Sequence, residues 1–296
     1  MLSPKPWNTI LILRLLLGAF ACLCLGSLIV NGVHFPGTGT KALLFFSISA
    51  VAVLLLILTL FLLSRPWDTD DLIGKLLLML VCLTTGLSFA VWAQQIAGKP
   101  AEGTSGEQMA VTEAAVLVFF TVFMRAQRIT WAEAFGIANG RRRAILSGLA
   151  VACIFLPVAE GLQLLSAEVM TRFRVEPQEQ QAVHALRVSV GWSNRLVLAV
   201  LALVLAPVVE EMFFRGMLYP LIKQAGFPRL AFWGVSFVFA CVHFNVATFV
   251  PLLVLAVILT ALYERTDNLL APISAHALFN SLNFAMLYLL DRQMGR

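Results

Sequence analysis

Charged residues are scarce in this sequence. Asp, Glu, Lys and Arg make up only 12% of the 296 residues, whereas 60% of the residues are hydrophobic. Soluble globular chains carry about 25% charged and about 45–50% apolar residues. A soluble fold of this length could not bury so much apolar surface. The composition therefore excludes that class and predicts a protein that spans a membrane several times.

The chain also lacks any cysteine pair at CxxC spacing. Its five cysteines are an odd number, and each lies inside an apolar run. A disulfide framework or a zinc knuckle is therefore not expected, and the cysteines are predicted to be small core side chains. They are Cys22, Cys24, Cys82, Cys153 and Cys241.

The sequence shows no nucleic-acid-binding module. Its formal net charge of +5 comes largely from arginines at the ends of the hydrophobic runs. Cations at these positions set the orientation of membrane helices and contact anionic headgroups. We therefore expect membrane lipid, and no nucleic acid, among the partners of the chain.

Long apolar runs dominate the sequence. Because lipid offers no water to the backbone, such runs must form helices, and the alternating pattern of barrel strands is not seen. The predicted fold class is all-α, a polytopic integral membrane helical bundle with about 8–9 transmembrane helices. The runs lie near residues 8–30, 41–63, 72–93, 108–124, 144–165, 196–220, 229–248, 249–263 and 270–290.

Two stretches depart from this regular pattern. The eighth run is short and follows the seventh without a polar loop, so residues 229–263 are expected to form either two tilted helices or one broken helix. Residues 166–195 are the longest polar stretch, and we interpret them as an amphipathic surface element before the sixth helix.

Arginines are densest in the loop of residues 125–143, which the positive-inside rule places in the cytoplasm. Alternation then puts the amino-terminal residues inside and the 94–107 loop, whose only cation is Lys99, outside. The same alternation brings the carboxyl half of the sixth helix toward the cytoplasm. Four arginines in residues 166–195 would then lie outside, which argues against this orientation.

The sixth run, LALVLAPVVEEMFFRGMLYPL, carries ionisable residues where a lipid-facing helix would have leucines. Each charge in a membrane span costs about 2.5–3.5 kcal/mol on insertion scales, so it needs a partner or a function. Glu211 and Arg215 are four residues apart and are predicted to form an ion pair along the helix. Glu210 lies about 100° around the helix from Glu211, which leaves it free to face a polar cavity.

Two later runs carry histidines at matching spacing. Phe239 precedes His243 by four residues, and His276 precedes Asn280 by four, so each pair is expected on one helix face. A carboxylate, two imidazoles and a carboxamide form a set that could position and deprotonate a water molecule and then stabilise an oxyanion.

These three motifs resemble those of the CPBP family of intramembrane endopeptidases, the CAAX-protease and bacteriocin-processing group also called Abi. The family's EExxxR, FxxxH and HxxxN occur here in the family's order and inside apolar runs, with one extra run between the two histidine helices. The resemblance covers about residues 203–285. The three motifs are Glu210-Glu211-Met-Phe-Phe-Arg215, Phe239 to His243, and His276 to Asn280.

The resemblance implies a role for each motif residue. It makes Glu210 and His243 the pair that activates the hydrolytic water, and His276 and Asn280 the stabilisers of the oxyanion. Glu211 and Arg215 would shape the helix and the charge of the cavity around these groups, while Phe239 would pack against the histidine ring. By this reading residues 196–296 form the catalytic helical core, and residues 1–195 are transmembrane helices of unassigned role plus the polar loop.

Metal dependence is a separate question, because the family is often called a metalloprotease. No HExxH is present, since none of the four histidines precedes a glutamate. We favour a glutamate-type mechanism without an obligatory cofactor. Were zinc bound, His243, His276 and Glu210 would be its ligands.

The leading hypothesis is an intramembrane endopeptidase of the bacterial inner membrane, acting on a peptide or a membrane-associated or lipid-modified protein. The alternative is a non-catalytic regulator or scaffold that keeps the cavity and binds a membrane partner. A proton-coupled transporter is disfavoured because the two halves show no inverted repeat. The sequence does not predict an oligomeric state.

Overall fold

The computed structural model describes residues 2–66, 72–97, 104–138, 140–174, 192–243 and 245–293. Every regular element within these ranges is helical, which confirms the all-α class. We number the helices α1 to α10, with α7 comprising residues 192–224. The others are α1 Thr9–Val33, α2 Thr40–Ser64, α3 Leu72–Ala97, α4 Thr104–Ala126, α5 Trp131–Phe135, α6 Arg141–Arg172, α8 Pro228–Cys241, α9 Val246–Thr266 and α10 Leu270–Gln293.

Six helical stretches in the described ranges are long and apolar enough to cross a membrane. The chain is therefore a polytopic integral membrane protein, as its composition predicts. Helices α4, α8 and α10 match predicted runs but are not among the six, and α8 has only 14 residues. The six are Thr9–Val33, Thr40–Ser64, Leu78–Ala97, Arg141–Arg172, Arg195–Gln224 and Val246–Thr266.

Two predicted boundaries are wrong. Helix α6 continues to Arg172, so the polar stretch predicted from residue 166 begins inside a helix of 32 residues. Residues 175–191 of that stretch lie outside the described residues. Helix α8 ends at Cys241 rather than near residue 248, where the predicted run ends. The next helix begins at Val246, and the Asn245 side chain before it accepts a hydrogen bond from the Thr248 N–H. Residues 229–263 therefore form two separate helices.

The chain divides into two compact units. One comprises Met1–Trp7 and Trp131–Arg296, and the other comprises Asn8–Thr130. The boundary that we predicted at residues 195/196 separates roles rather than compact units, and it stays a prediction.

The unit of residues 8–130 contains helices α1 to α4. Arg14 is buried at 3% exposure, and its guanidinium donates hydrogen bonds to the carbonyls of Leu63 and Arg65 at the end of α2. These carbonyls have no partner within their own helix, so the buried cation satisfies them. The small and apolar core of this unit consists of Ala21, Leu25, Leu28, Phe45, Ala52, Leu56, Leu83, Ala90 and Ala93.

All five cysteines are free. The prediction of core side chains is confirmed for Cys22 and Cys82, which are buried, but it is wrong for Cys153, whose side chain is exposed on α6. An apolar run alone does not tell which face of a membrane helix packs inward.

The unit that contains the three motifs is built around α6, α7, α8, α9 and α10. Helix α6 packs closely along α10 because Gly148 has no side chain. A Cβ at this position would collide with the Ala271 carbonyl oxygen and with the Ser274 hydroxyl of α10. This contact places the start of α10, five residues before His276, against α6.

We predict that Gly148→Ala lowers the stability of the protein by about 1–3 kcal/mol, because the added methyl group overpacks a backbone contact. The measurement is the thermal or denaturant unfolding of the purified protein in detergent. Gly161→Ala is the matched control on the same helix, since a Cβ there meets no atom within 4 Å. Equal effects of the two substitutions would contradict the packing that we describe.

Candidate active site

Helix α7 presents both glutamates from an irregular stretch. It consists of α-helical Trp192–Val200, π-helical Leu201–Leu205, α-helical Ala206–Glu211, π-helical Met212–Leu218 and α-helical Tyr219–Gln224. Pro207 follows the first π-helical segment and Pro220 follows the second. Proline has no N–H, so each removes a backbone donor from the helix. The regular helix that the sequence predicts is therefore interrupted on both sides of Glu210 and Glu211.

The predicted ion pair between Glu211 and Arg215 is present. Arg215 Nη1 lies 2.7 Å from Glu211 Oε1, and both side chains are 0% exposed. The same guanidinium donates through Nη2 to the Ala256 carbonyl at 3.0 Å and through Nε to the Thr260 hydroxyl at 3.4 Å. Arg215 thus bonds α7 to α9 as well as to its own helix.

Phe239 of α8 packs between the charged pair and the histidines. Its ring is fully buried, and the Arg215 guanidinium carbon lies 4.5 Å from the ring centroid. The ring centroid is 4.9 Å from that of His243 and 5.7 Å from that of His276. The side chain therefore packs against both imidazoles, and it makes a cation–π contact that its spacing to His243 does not predict.

Glu210 lies between the two histidines. Its Oε2 atom is 3.9 Å from Nε2 of His243 and also 3.9 Å from Nε2 of His276. Its side chain is 31% exposed, against 23% for His243 and 4% for His276. A single water molecule can bridge polar atoms at this separation. The structure thus brings together three of the four predicted catalytic residues.

The other nitrogen of each imidazole has a defined partner. His243 Nδ1 lies 2.7 Å from the Phe239 carbonyl oxygen, and His276 Nδ1 lies 3.0 Å from Glu211 Oε1. A carbonyl or a carboxylate can only accept, so each Nδ1 carries the hydrogen. In the neutral form, each Nε2 then turns a lone pair toward Glu210.

His243 lies in the turn after α8 rather than on the helix, which corrects the expectation that it shares a helix face with Phe239. The four-residue spacing still matters, because the ring reaches back to the Phe239 carbonyl. That carbonyl belongs to the last turn of α8, whose carbonyls lack a helical donor. The end of the helix thereby orients the imidazole.

Asn280 has a contact that the motif does not predict. Its side-chain Nδ2 donates to the carbonyl oxygen of Ala202 at 3.0 Å. Ala202 lies in the first π-helical segment, where the Ala206 N–H donates to the carbonyl of Leu201, five residues earlier. By the same spacing the donor to Ala202 would be Pro207, but proline has no N–H. Asn280 supplies that donor and leaves its second amide hydrogen for another acceptor.

The motifs do not predict Thr260 of α9, which accepts a hydrogen bond from Arg215, or Ser236 of α8, which contacts Thr260. The Thr260 hydroxyl donates to the Ala256 carbonyl at 2.8 Å and lies 3.3 Å from the Ser236 hydroxyl, and both hydroxyl side chains are fully buried. Single hydroxyl residues in apolar helices often bond to their own backbone. Nothing in their spacing distinguishes these two from that ordinary case.

The family resemblance raises the question of whether the candidate site binds zinc. Glu210, His243 and His276 are the ligand types that zinc accepts. Among the described residues, however, no group of three or more His, Cys, Asp or Glu side chains is arranged to hold a metal ion. As placed, these side chains therefore do not form a metal centre.

Residues 192–282 match the family model described as Type II CAAX prenyl endopeptidase Rce1-like. The matched range includes all three motifs and helices α7 to α9. No curated protein and no solved structure matches the chain. The match confirms the resemblance to the CPBP and CAAX protease family over residues 192–282, under a third of the chain.

The geometry predicts that Glu211→Ala destabilises the protein, because Arg215 would remain as a buried cation without its carboxylate. Breaking a buried pair of this kind costs about 3–5 kcal/mol. The measurement is thermal unfolding in detergent together with the yield of folded protein.

Glu168→Ala is the matched control, because Glu168 and Arg172 form an exposed pair at the same spacing on α6. Such exposed helical pairs contribute about 0.3–0.5 kcal/mol. If Glu211→Ala were as mild as Glu168→Ala, the Arg215 guanidinium would not depend on Glu211.

Proposed function

We propose that this protein is an intramembrane endopeptidase that hydrolyses a peptide bond of a membrane-associated or lipid-modified protein or peptide. The observation that supports this best is the equal 3.9 Å separation of Glu210 Oε2 from the Nε2 atoms of His243 and His276. A water molecule held there would contact a carboxylate base and an imidazole at once. The protease-type family match over the same residues supports the same reaction class.

In the proposed reaction, Glu210 accepts a proton from the water as its oxygen attacks the carbonyl carbon of the substrate. The resulting tetrahedral intermediate collapses when the C–N bond breaks and the amine nitrogen receives a proton. His243 can relay this proton because its Nε2 lone pair faces Glu210 while Nδ1 donates to the Phe239 carbonyl. The products are a carboxylic acid and an amine, and no redox step is involved.

We further propose that Asn280 and His276 stabilise the oxyanion, as the family resemblance implies. Asn280 retains one amide hydrogen beyond the bond to Ala202. His276 donates through Nδ1 to Glu211, so its Nε2 can donate to an oxyanion only when the imidazole is doubly protonated. Of the two residues, Asn280 has the hydrogen to spare in the neutral state.

For the substrate we propose the carboxyl-terminal region of a lipid-modified or membrane-anchored protein. The resemblance of residues 192–282 to CAAX prenyl endopeptidases supports this substrate class. The location that we propose is a bacterial inner membrane with the amino-terminal residues in the cytoplasm. The five arginines of residues 125–143 support this orientation under the positive-inside rule.

We expect Glu210→Gln to abolish cleavage while the protein remains folded, because the amide keeps the shape of the side chain and loses only the base. Loss of a general base lowers turnover by about 10²–10⁴-fold. The assay is hydrolysis of a fluorogenic farnesylated CAAX peptide in detergent, with the membrane peptidome of cells carrying either form as a second readout.

Glu160→Gln is the control, since Glu160 is a carboxylate of α6 that takes no part in any motif. Equal cleavage by the Glu210→Gln variant and by the unsubstituted protein would exclude the proposed mechanism. No cleavage by either form, with unchanged peptidomes, would favour the non-catalytic regulator.

The mechanism without metal predicts that activity survives chelation. Purified enzyme is dialysed against a strong chelator and shown by elemental analysis to be free of metal, and it is then assayed on the same peptide. We expect most of the activity to remain, because Glu210 and His243 suffice to deprotonate the water. Activity that disappears and returns with stoichiometric zinc, but not with magnesium, would make His243 and His276 metal ligands.

A further inference from the structure

The carbonyl group of Gly216 accepts a hydrogen bond from a donor outside its own helix. Gly216 follows Arg215 directly and lies in the second π-helical segment of α7. In a regular α-helix its carbonyl would accept from the backbone N–H of residue 220, but residue 220 is a proline. Pro220 therefore cannot supply the α-helical bond to this carbonyl.

Trp7 supplies this donor. Its indole Nε1 donates to the Gly216 carbonyl in a bond that is buried, and the Trp7 side chain is only 4% exposed. The indole also packs on Phe135, at 6.1 Å between ring centroids. Phe135 in turn contacts the face of Gly216, where a Cβ would collide with the Phe135 ring. The missing side chain of Gly216 thus lets aromatic rings approach the helix beside Arg215.

The segment Ser3–Trp7 is itself anchored to the same compact unit. Lys5 Nζ lies 2.7 Å from Asp267 Oδ1 at the end of α9, and the Lys5 backbone N–H donates to the Gln224 side chain at 2.6 Å. The Ser3 backbone N–H donates to the other Asp267 oxygen at 3.2 Å. Burial by itself would raise the pKa of Asp267, but the hydrogen bonds from Lys5 and Ser3 and the Lys5 charge hold it below its ordinary value. The carboxylate therefore stays ionised and keeps the segment bound at neutral pH.

We propose that Trp7 is a positioning residue for the hydrolysis described above. Its N–H holds the Gly216 carbonyl, which fixes the backbone of the π-helical segment Met212–Leu218 and hence the direction of the Arg215 side chain. Arg215 is bonded to Glu211, and Glu211 is bonded to Nδ1 of His276. A residue of the segment that precedes α1 therefore orients the imidazole that faces Glu210. This proposal rests on the proposed function for its effect on catalysis, but the hydrogen bond can be tested without activity.

The first test is Trp7→Phe, which keeps an aromatic ring and removes only the donor and part of the ring area. We expect kcat on the farnesylated peptide to fall about tenfold with little change in KM, because small displacements remote from the chemistry lower turnover without removing substrate contacts. Trp233→Phe is the matched control, since Trp233 lies on α8 in the same unit and its side chain is 61% exposed. It should leave both constants unchanged.

The second test asks whether the N–H is the part of Trp7 that matters. The isosteric amino acid 3-benzothienylalanine at position 7 keeps the fused ring of Trp7 and replaces its N–H with sulfur. Its incorporation should lower kcat about as far as Trp7→Phe does, because it also removes the donor to the Gly216 carbonyl. An unchanged kcat would assign the effect to ring packing and overturn the proposal.

The third test does not require a working protease. In the inactive Glu210→Gln background, amide hydrogen exchange of residues 212–224 should be faster with Trp7→Phe than without it, whereas Trp233→Phe should leave it unchanged. Failure of the proposed function would appear as full activity of Glu210→Gln or as no cleavage by either form, and it would leave this comparison intact. Unchanged exchange, unchanged kcat, or a Trp7→Phe protein that cannot be recovered folded would each overturn the positioning role.

Discussion

The arrangement of the candidate active site depends on the buried ion pair between Glu211 and Arg215. Two charges with 0% exposure are expensive to remove from water, and only complete pairing offsets that cost. The pair is also hydrogen-bonded to the Ala256 carbonyl and the Thr260 hydroxyl through Arg215, and to Nδ1 of His276 through Glu211. Helices α7, α9 and α10 therefore meet at one network, in which loss of Glu211 or of Arg215 would leave the other charge buried and unpaired. The geometry around Glu210 is therefore set by the neighbouring network of Glu211 and Arg215, which orients His276, and not by Glu210 alone.

Two prolines shape the helix that bears this pair. Pro207 and Pro220 each remove an N–H near a π-helical segment, and a side chain from another part of the unit donates to one carbonyl of each segment. Asn280 donates to Ala202, and Trp7 donates to Gly216. Irregular helical segments of this kind are frequent at functional sites, because they change the direction in which side chains point. Here they bracket the two adjacent glutamates, so that Glu211 points into the charged network and Glu210 points toward the imidazole nitrogens.

Much of this arrangement could be predicted from local spacing. The ion pair of Glu211 with Arg215 follows from a four-residue interval, and the separate role of Glu210 follows from its different direction on the helix. The end of α8 before His243 could not be predicted, because Val242, His243 and Phe244 continue an apolar run without a helix-breaking residue. Thr260 and Trp7 could not be predicted either, since they lie 45 and 209 residues from their partners Arg215 and Gly216. No periodicity connects residues at such distances.

The sequence by itself determined the class of the protein and the chemical groups at its centre. Its apolar runs require membrane helices because lipid leaves the backbone no other way to satisfy its hydrogen bonds, and its rare intramembrane charges mark the site because they are costly elsewhere. Tertiary structure alone decided which atoms meet. Only the folded chain sets the hydrogen on Nδ1 of both histidines, turns both Nε2 atoms toward Glu210, and brings the Asn280 and Trp7 donors to carbonyls of the π-helical segments. The physical reason is that composition and spacing describe interactions within one helix, whereas these contacts join segments that are far apart in the chain.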